Sequence, residues 1–296
     1  MASNARVRPL RHSSVVVSAR HTSRVSPLEY AGTAAAAVTS DTQHLCWITH
    51  PDNPAITATI ATTSAASLYP ASNLQLLPIT ACWRSVGVAS AQDITLDFGA
   101  DQSVDIIALV NHNMTSTATI AIAAGTTSAV SDFSTTVTWR EFLAFKWLTS
   151  PETYRYWRIR ITDTGNTQGF IEVGYPVAGL STKPEFTFRE GWVTSREYAT
   201  SKIKSEFGVP TAEKLYERQR LEMPFGPLPS GYFLYIRRWY VQVKRNLYPA
   251  LVLLERGGTD AYFGRIQSVL EEKIDQQHHY ADIQFIEDSY GSVVGA

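Results

Sequence analysis

The chain has 296 residues, 44% of them hydrophobic and 18% charged, and a formal net charge of -1. That length accommodates two ordinary domains, or one large β-domain with additions. Near-neutral charge excludes a global field drawing the protein to nucleic acid or anionic membrane, and no apolar run reaches the roughly 18 residues of a membrane span.

The first 44 residues form a basic arm and linker. Arg6, Arg8, Arg11, His12, Arg20, His21 and Arg24 precede the first acid, Glu29. An Arg- and Ser-rich, acid-poor start also describes a transit peptide, but Pro9 and the run Val15–Val17 favour an extended chain over an amphipathic helix. The arm is expected to lie on a neighbouring subunit or an acidic partner, with a disordered tail the alternative. Residues 31–44, small and polar, read as a linker or weak helix.

A second unit spans residues 45–182. Cys46, Trp47 and Ile48 are apolar, and Pro51, Asn53 and Pro54 punctuate a turn. Ile56, Ala58 and Ile60 alternate with threonines as a strand does, and residues 67–73 read as a loop. From Thr80 to Leu180 the expected strands are 93–98, 104–110, 117–123, 136–139, 154–162 and 169–174. Ile94, Leu96 and Phe98 alternate with Thr95 and Asp97; Trp157, Ile159 and Ile161 alternate with Arg158 and Arg160. Period two places one set on a buried face and the other in solvent. Trp83 is expected in the core with Arg84 at the rim. Arg158 and Arg160 suit either an acidic interface or simple solvation.

The order of these features carries a resemblance: Trp83-Arg84, a strand ending in Asp97-Phe98-Gly99, a strand leading to Asn111-His112-Asn113, and the Tyr156-Trp157-Arg158-Ile159-Arg160-Ile161 strand. It resembles the galactose-binding-like, discoidin-type jelly roll, a β-sandwich that implies a binding or packing module. Loops at one end of that fold hold sugar or a cation, so the resemblance makes Asn111, His112 and Asn113 a candidate glycan contact. Amides and imidazole offer the directional donors and acceptors that hydroxyls need. The same residues are also common turn formers that bond their own backbone.

Lys183 and Pro184 mark a break, and residues 183–296 form a third, β-rich unit. Leu215–Met223 alternates, and the stretch from Tyr232 to Arg245 carries Phe233, Ile236, Tyr240 and Val243 near a helical stripe, with Ser230 placed to cap it. Strands follow at 251–254, 262–270 and 280–287. The sequence from Phe188 to Trp192, then Tyr262 to Ile266, then Phe285-Ile286-Glu287, resembles ring- or hub-forming β-domains of phage tails. Together with the jelly roll, the chain is similar to siphophage distal tail proteins, with the two domains in the less usual order. The fold class is therefore mainly β: a jelly-roll sandwich, then a ring- or hub-type β-domain with one short helix. The resemblance implies a structural protein of the virion tail tip, a ring of three or six copies, and tail-tube, tape-measure and receptor-binding partners. Arg218, Arg220, Arg237, Arg238 and Trp239, with the arm arginines, are the expected assembly interface. The alternative is a carbohydrate-binding module recognising host surface glycan.

No cofactor, specific nucleic acid or catalytic apparatus is expected. The chain lacks H-E-x-x-H, G-x-S-x-G and a Gly-rich phosphate loop. His278 and His279 are adjacent and point to opposite faces of a strand. Cys46 and Cys82 read as two small buried hydrophobes.

Overall fold

The computed structural model describes residues 13–19, 45–186, 188, 192–204, 210–254, 260–275 and 278–288. In chain order the strands are β1 (Ser13–Ala19), β2 (Cys46–Thr49), β3 (Thr59–Thr62), β4 (Trp83–Arg84), β5 (Gln92–His112), β6 (Thr119–Gly125), β7 (Phe133–Val137), β8 (Leu143–Thr162), β9 (Glu172–Gly179), β10 (Val193–Lys204), β11 (Pro210–Leu228), β12 (Ala250–Leu253), β13 (Ala261–Ile266), β14 (Lys273–Asp275) and β15 (His278–Glu287). Helix α1 (Ser230–Gln242) lies between β11 and β12. The protein is mainly β, and its strands build three stacked layers with the helix as a fourth.

The outer two layers are the sandwich, and two long strands belong to both. The segments 93–98 and 104–110, expected as separate strands, are one strand, β5. Its first part pairs with β3 and with the end of β8; its second part pairs with β9 and the start of β8. The bend between them coincides with a break in register after Asp97 and with Gly99, whose φ of 77° is left-handed. The outer layer runs β3–β5–β8–β6–β7 and the inner layer β4–β9–β5–β8. Ile94, Leu96, Ile120, Ile122, Trp157, Ile159 and Ile161 face Trp83, Ile107, Leu109, Val173 and Ala178 in one apolar core. Both aromatic anchors of this core satisfy their indole nitrogens: Trp83 donates to the Ser64 carbonyl and Trp157 to that of Tyr154.

The inner sandwich layer is apolar on its other face too. Ile106, Ala108, Val110, Phe145, Tyr175 and Val177 pack against Cys46, Ile48, Leu251, Leu253 and Phe263 of the third layer. That layer has the order β1–β10–β11–β15–β13–β12–β2, with β14 on β15. Its far face carries Trp47, Leu221, Met223, Phe225, Val252 and Phe285, and α1 covers it with Phe233, Ile236, Trp239 and Val243. Trp47 and Trp239 stack at 4.7 Å. The sandwich and the second sheet are thus joined by a shared apolar layer, not by a loose linker.

Several expectations change. Residues 46–49, assigned with the sandwich, pair with β12 in the second sheet, Cys46 opposite Leu253 and Thr49 opposite Ala250. Residues 54–56 form a 3-10 turn, so the strand there begins at Thr59. The part of the arm that is described, β1, is extended as expected, but its partner is β10 of the same chain. The helix begins at Ser230 with Pro229, not Ser230, in the cap position, and proline has no side-chain acceptor to cap it. Its buried stripe uses Trp239, and Tyr240 is only half-buried.

A buried ion pair stiffens the junction. Asp105, in the β5 bulge, is completely buried; it accepts from the Ser181 backbone N–H at 2.8 Å and pairs with Lys183 Nζ at 2.5 Å. The Lys183 ammonium also sits 4.6 Å from the Trp147 ring centre. Nearby, Tyr175 hydroxyl meets His50 Nδ1 at 2.6 Å and accepts from Asn53 Nδ2 at 3.2 Å.

Candidate functional site

Two regions of the sandwich carry chemistry: the loop end that holds Asn111–Asn113, and the open face of the outer sheet.

At the loop end the polar groups are turned inward. Asn111 has φ 55°, a left-handed conformation that Asn tolerates better than most residues. Its amide donates to the Ile79 carbonyl at 2.9 Å. Asn113 donates to Gln168 Oε1 at 2.8 Å and to the Phe170 carbonyl at 2.9 Å, and its oxygen accepts from the Glu172 N–H at 2.7 Å. One side chain therefore ties β5 to the β8–β9 connection. His112 Nδ1 accepts from the Met114 N–H at 3.3 Å, and its Nε2 is buried. Burial pushes the His112 pKa down to about 4, so the ring is neutral. Asp163, also buried, accepts from Thr115 Oγ1 at 2.6 Å and from its N–H at 2.9 Å.

The aromatic faces at this end are covered as well. The Arg84 guanidinium lies 3.8 Å from the Tyr69 ring centre and 4.6 Å from that of Phe170, and its Nε meets Glu172 at 2.5 Å. A sugar ring seeking an aromatic platform here meets a cation already seated on it. The three predicted residues are brought together, and their amides are engaged by their own chain.

The outer sheet face differs. On β5, Asp93, Thr95 and Asp97 point outward, and on β8 Arg160, Arg158 and Tyr156 lie opposite them in register. Arg160 holds Asp93 through two bonds of 2.7 and 2.8 Å. Arg155 holds Asp97 in the same fashion at 2.6 and 2.9 Å. That pairing holds the Asp97 carboxyl below its usual range. Arg158 faces Thr95 on one side and Ala123 on the other, and neither can pair with it. Its Nε is buried without a partner. With Ala121, Ala123, Ser134, Thr136 and Arg160 it lines an open groove of about 270 Å³. Small residues on β6 and β7 make the depression. Reading Arg158 and Arg160 as equivalent outward arginines missed this difference; the signal was the Asp-x-Thr-x-Asp pattern of residues 93–97, whose middle member carries no charge.

The expected assembly residues scatter. Arg6, Arg8 and Arg11 lie outside the described residues. Arg218 pairs with Glu197 at 3.2 Å, its cross-strand neighbour in the β10–β11 hairpin. Arg220 reaches Gln284 at 2.5 Å, and Arg237 reaches Glu272 at 2.5 Å. Arg238 is exposed on α1. Trp239 is a core residue against Trp47 and Phe285, not a surface one, because the helix stripe turns it inward. Among the described residues, no three His, Cys, Asp or Glu side chains are placed to hold a metal, and no helix is long and apolar enough to cross a membrane.

No protein-family model and no curated protein matches the chain. Solved structures do. Chitosan-binding module 1 of a chitosanase/glucanase from Paenibacillus sp. IK-5 is 22% identical, covering 43% of this chain and 97% of the module, with a TM-score of 0.37. The family 32 carbohydrate-binding module of Clostridium perfringens NanJ, solved with galactose, is 19% identical over 45% of this chain and 98% of its own, at 0.35. The lectin domain of lectinolysin, complexed with Lewis B antigen, is 12% identical over 44% and 97%, at 0.37. The described residues are mainly β: a two-layer sandwich packed on a second sheet that carries a short helix.

Proposed function

We propose that this chain is a non-catalytic glycan-binding protein whose sandwich presents the binding surface and whose second β-domain is a rigid anchor. The carrying observation is the open groove on the outer sheet. It offers guanidinium and hydroxyl hydrogen-bonding groups in a depression left open among the described residues, and sugar hydroxyls need such directional partners. The shared apolar layer supports the anchor role, since it fixes the sandwich's orientation on the second sheet. Titrating the full chain with a panel of neutral and acidic oligosaccharides tests this reading. Saturable binding of at least one is expected; flat titrations throughout would refute it.

A second reading places this binding protein in a phage tail tip, on a virion. The outer face of α1 supports an assembled state: Leu234 and Val241 are 57% and 66% exposed there, beside Arg238. Light scattering over a concentration range separates the readings: a discrete trimer or hexamer supports the ring, and a monomer throughout removes it.

A further inference from the structure

We propose that the groove on the outer sheet takes the carboxylate of an acidic sugar, seated on Arg158. The inference rests on the glycan reading and names its ligand class. On the outer face an aspartate of β5 holds an arginine of β8 twice: Asp93 holds Arg160, directly opposite it, and Asp97, opposite Tyr156, holds Arg155 beside that position. At the middle position the device is incomplete. Thr95 stands where an aspartate would neutralise Arg158, and Ala123 on the other side leaves room beside it.

Leaving this guanidinium unpaired has a cost that the neighbouring positions avoid. The buried Nε–H has lost water and, among the described residues, gained no partner, which is unfavourable. Among the described residues nothing engages the two terminal nitrogens, and they form the edge that a ligand meets in the groove. A carboxylate supplies two acceptors matched to that planar edge, and charge-assisted pairs of this kind are the strong ones. Ser134 and Thr136, exposed on β7, flank the groove with hydroxyls for the rest of a sugar ring. A neutral hexose would fill the same space and leave the charge unanswered.

The test uses the full chain and three trisaccharides that differ only at one terminal sugar: a hexuronic acid, the neutral hexose, and a sulfated hexose. The hexuronic acid should bind about tenfold tighter than the neutral form, the size expected for one charge-assisted pair, and the gap should narrow as salt is added. Thr95→Asp installs the missing counter-ion in the cross-strand geometry that Asp93 and Arg160 already use; it should fold normally and erase that preference. Arg158→Gln should do the same. If the neutral sugar binds as tightly and Thr95→Asp changes nothing, the inference fails and the glycan reading stands. If no sugar binds, both fail. A sulfated sugar bound more tightly than the uronic acid, or a glutamate-rich peptide bound in place of all three, would overturn the carboxylate-sugar assignment.

Discussion

The loop end and the outer sheet face of the same sandwich use similar polar residues to opposite effect. At the loop end Asn111, Asn113, Asp163 and Arg84 are paired within the chain, so their hydrogen-bonding capacity is consumed in joining β5, β8 and β9. On the sheet face two of three charged positions are paired and the third, Arg158, is not. Residue type alone therefore does not mark a binding surface. What marks it is capacity left over once the fold has been satisfied.

This contrast can be broken or sharpened by substitution, with the largest effects where satisfaction is most complete. Asp105→Ala strips the partner from Lys183 and leaves Ser181 N–H unanswered at the junction of the two domains. Chemical denaturation should show a loss of about 3–5 kcal/mol, as for other buried pairs broken on one side. Next comes acid. His112 has a pKa of about 4 in the folded chain, below its usual 6.5. Between those values the unfolded chain binds the proton and the folded chain does not, so stability is constant above about pH 6.5 and falls as pH drops toward 4. The drop amounts to roughly 3 kcal/mol. His50, also lowered by burial, adds in the same sense. Thermal melts of His112→Gln should show a shallower acid slope than the parent.

Asn113→Ala should cost about 1–3 kcal/mol, since it leaves the Glu172 N–H without its acceptor, and should leave sugar affinity unchanged. Asp93→Asn weakens an exposed pair and should cost less than about 1 kcal/mol. Smallest is Arg158→Gln, within about 0.5 kcal/mol in stability although it erases the preference for the acidic sugar. A large stability loss there would mean that the arginine is structural.

Much of this architecture was legible, and the failures have physical causes. Alternation exposed the outer sheet because one of its faces is wet: Ile94, Leu96, Ile159 and Ile161 were read correctly as inward. The middle layers are buried on both faces and lose alternation, as Ile106–Val110, Cys46–Thr49 and Ala250–Leu253 show. Their unbroken burial is why β2 was assigned to the sandwich, its neighbour in sequence, when it serves the next sheet. On β2, Trp47 enters the helix-side core while Cys46 and Ile48 enter the shared layer, a division that no local pattern reports. The site was harder still. Whether Arg158 is paired depends on Thr95 in a strand 63 positions earlier, through a register that only folding reveals. Asn111–Asn113 drew notice by composition, and composition is silent on whether an amide is already bonded.

The most direct test follows alanine and methionine methyl resonances of the full chain while the hexuronic-acid trisaccharide is added. Ala121 and Ala123 line the groove; Met114 lies beside the Asn111–Asn113 loop. The account predicts saturable shifts at Ala121 and Ala123 with Met114 unmoved. Shifts at Met114 with both alanines unmoved would return the site to the loop end and contradict it.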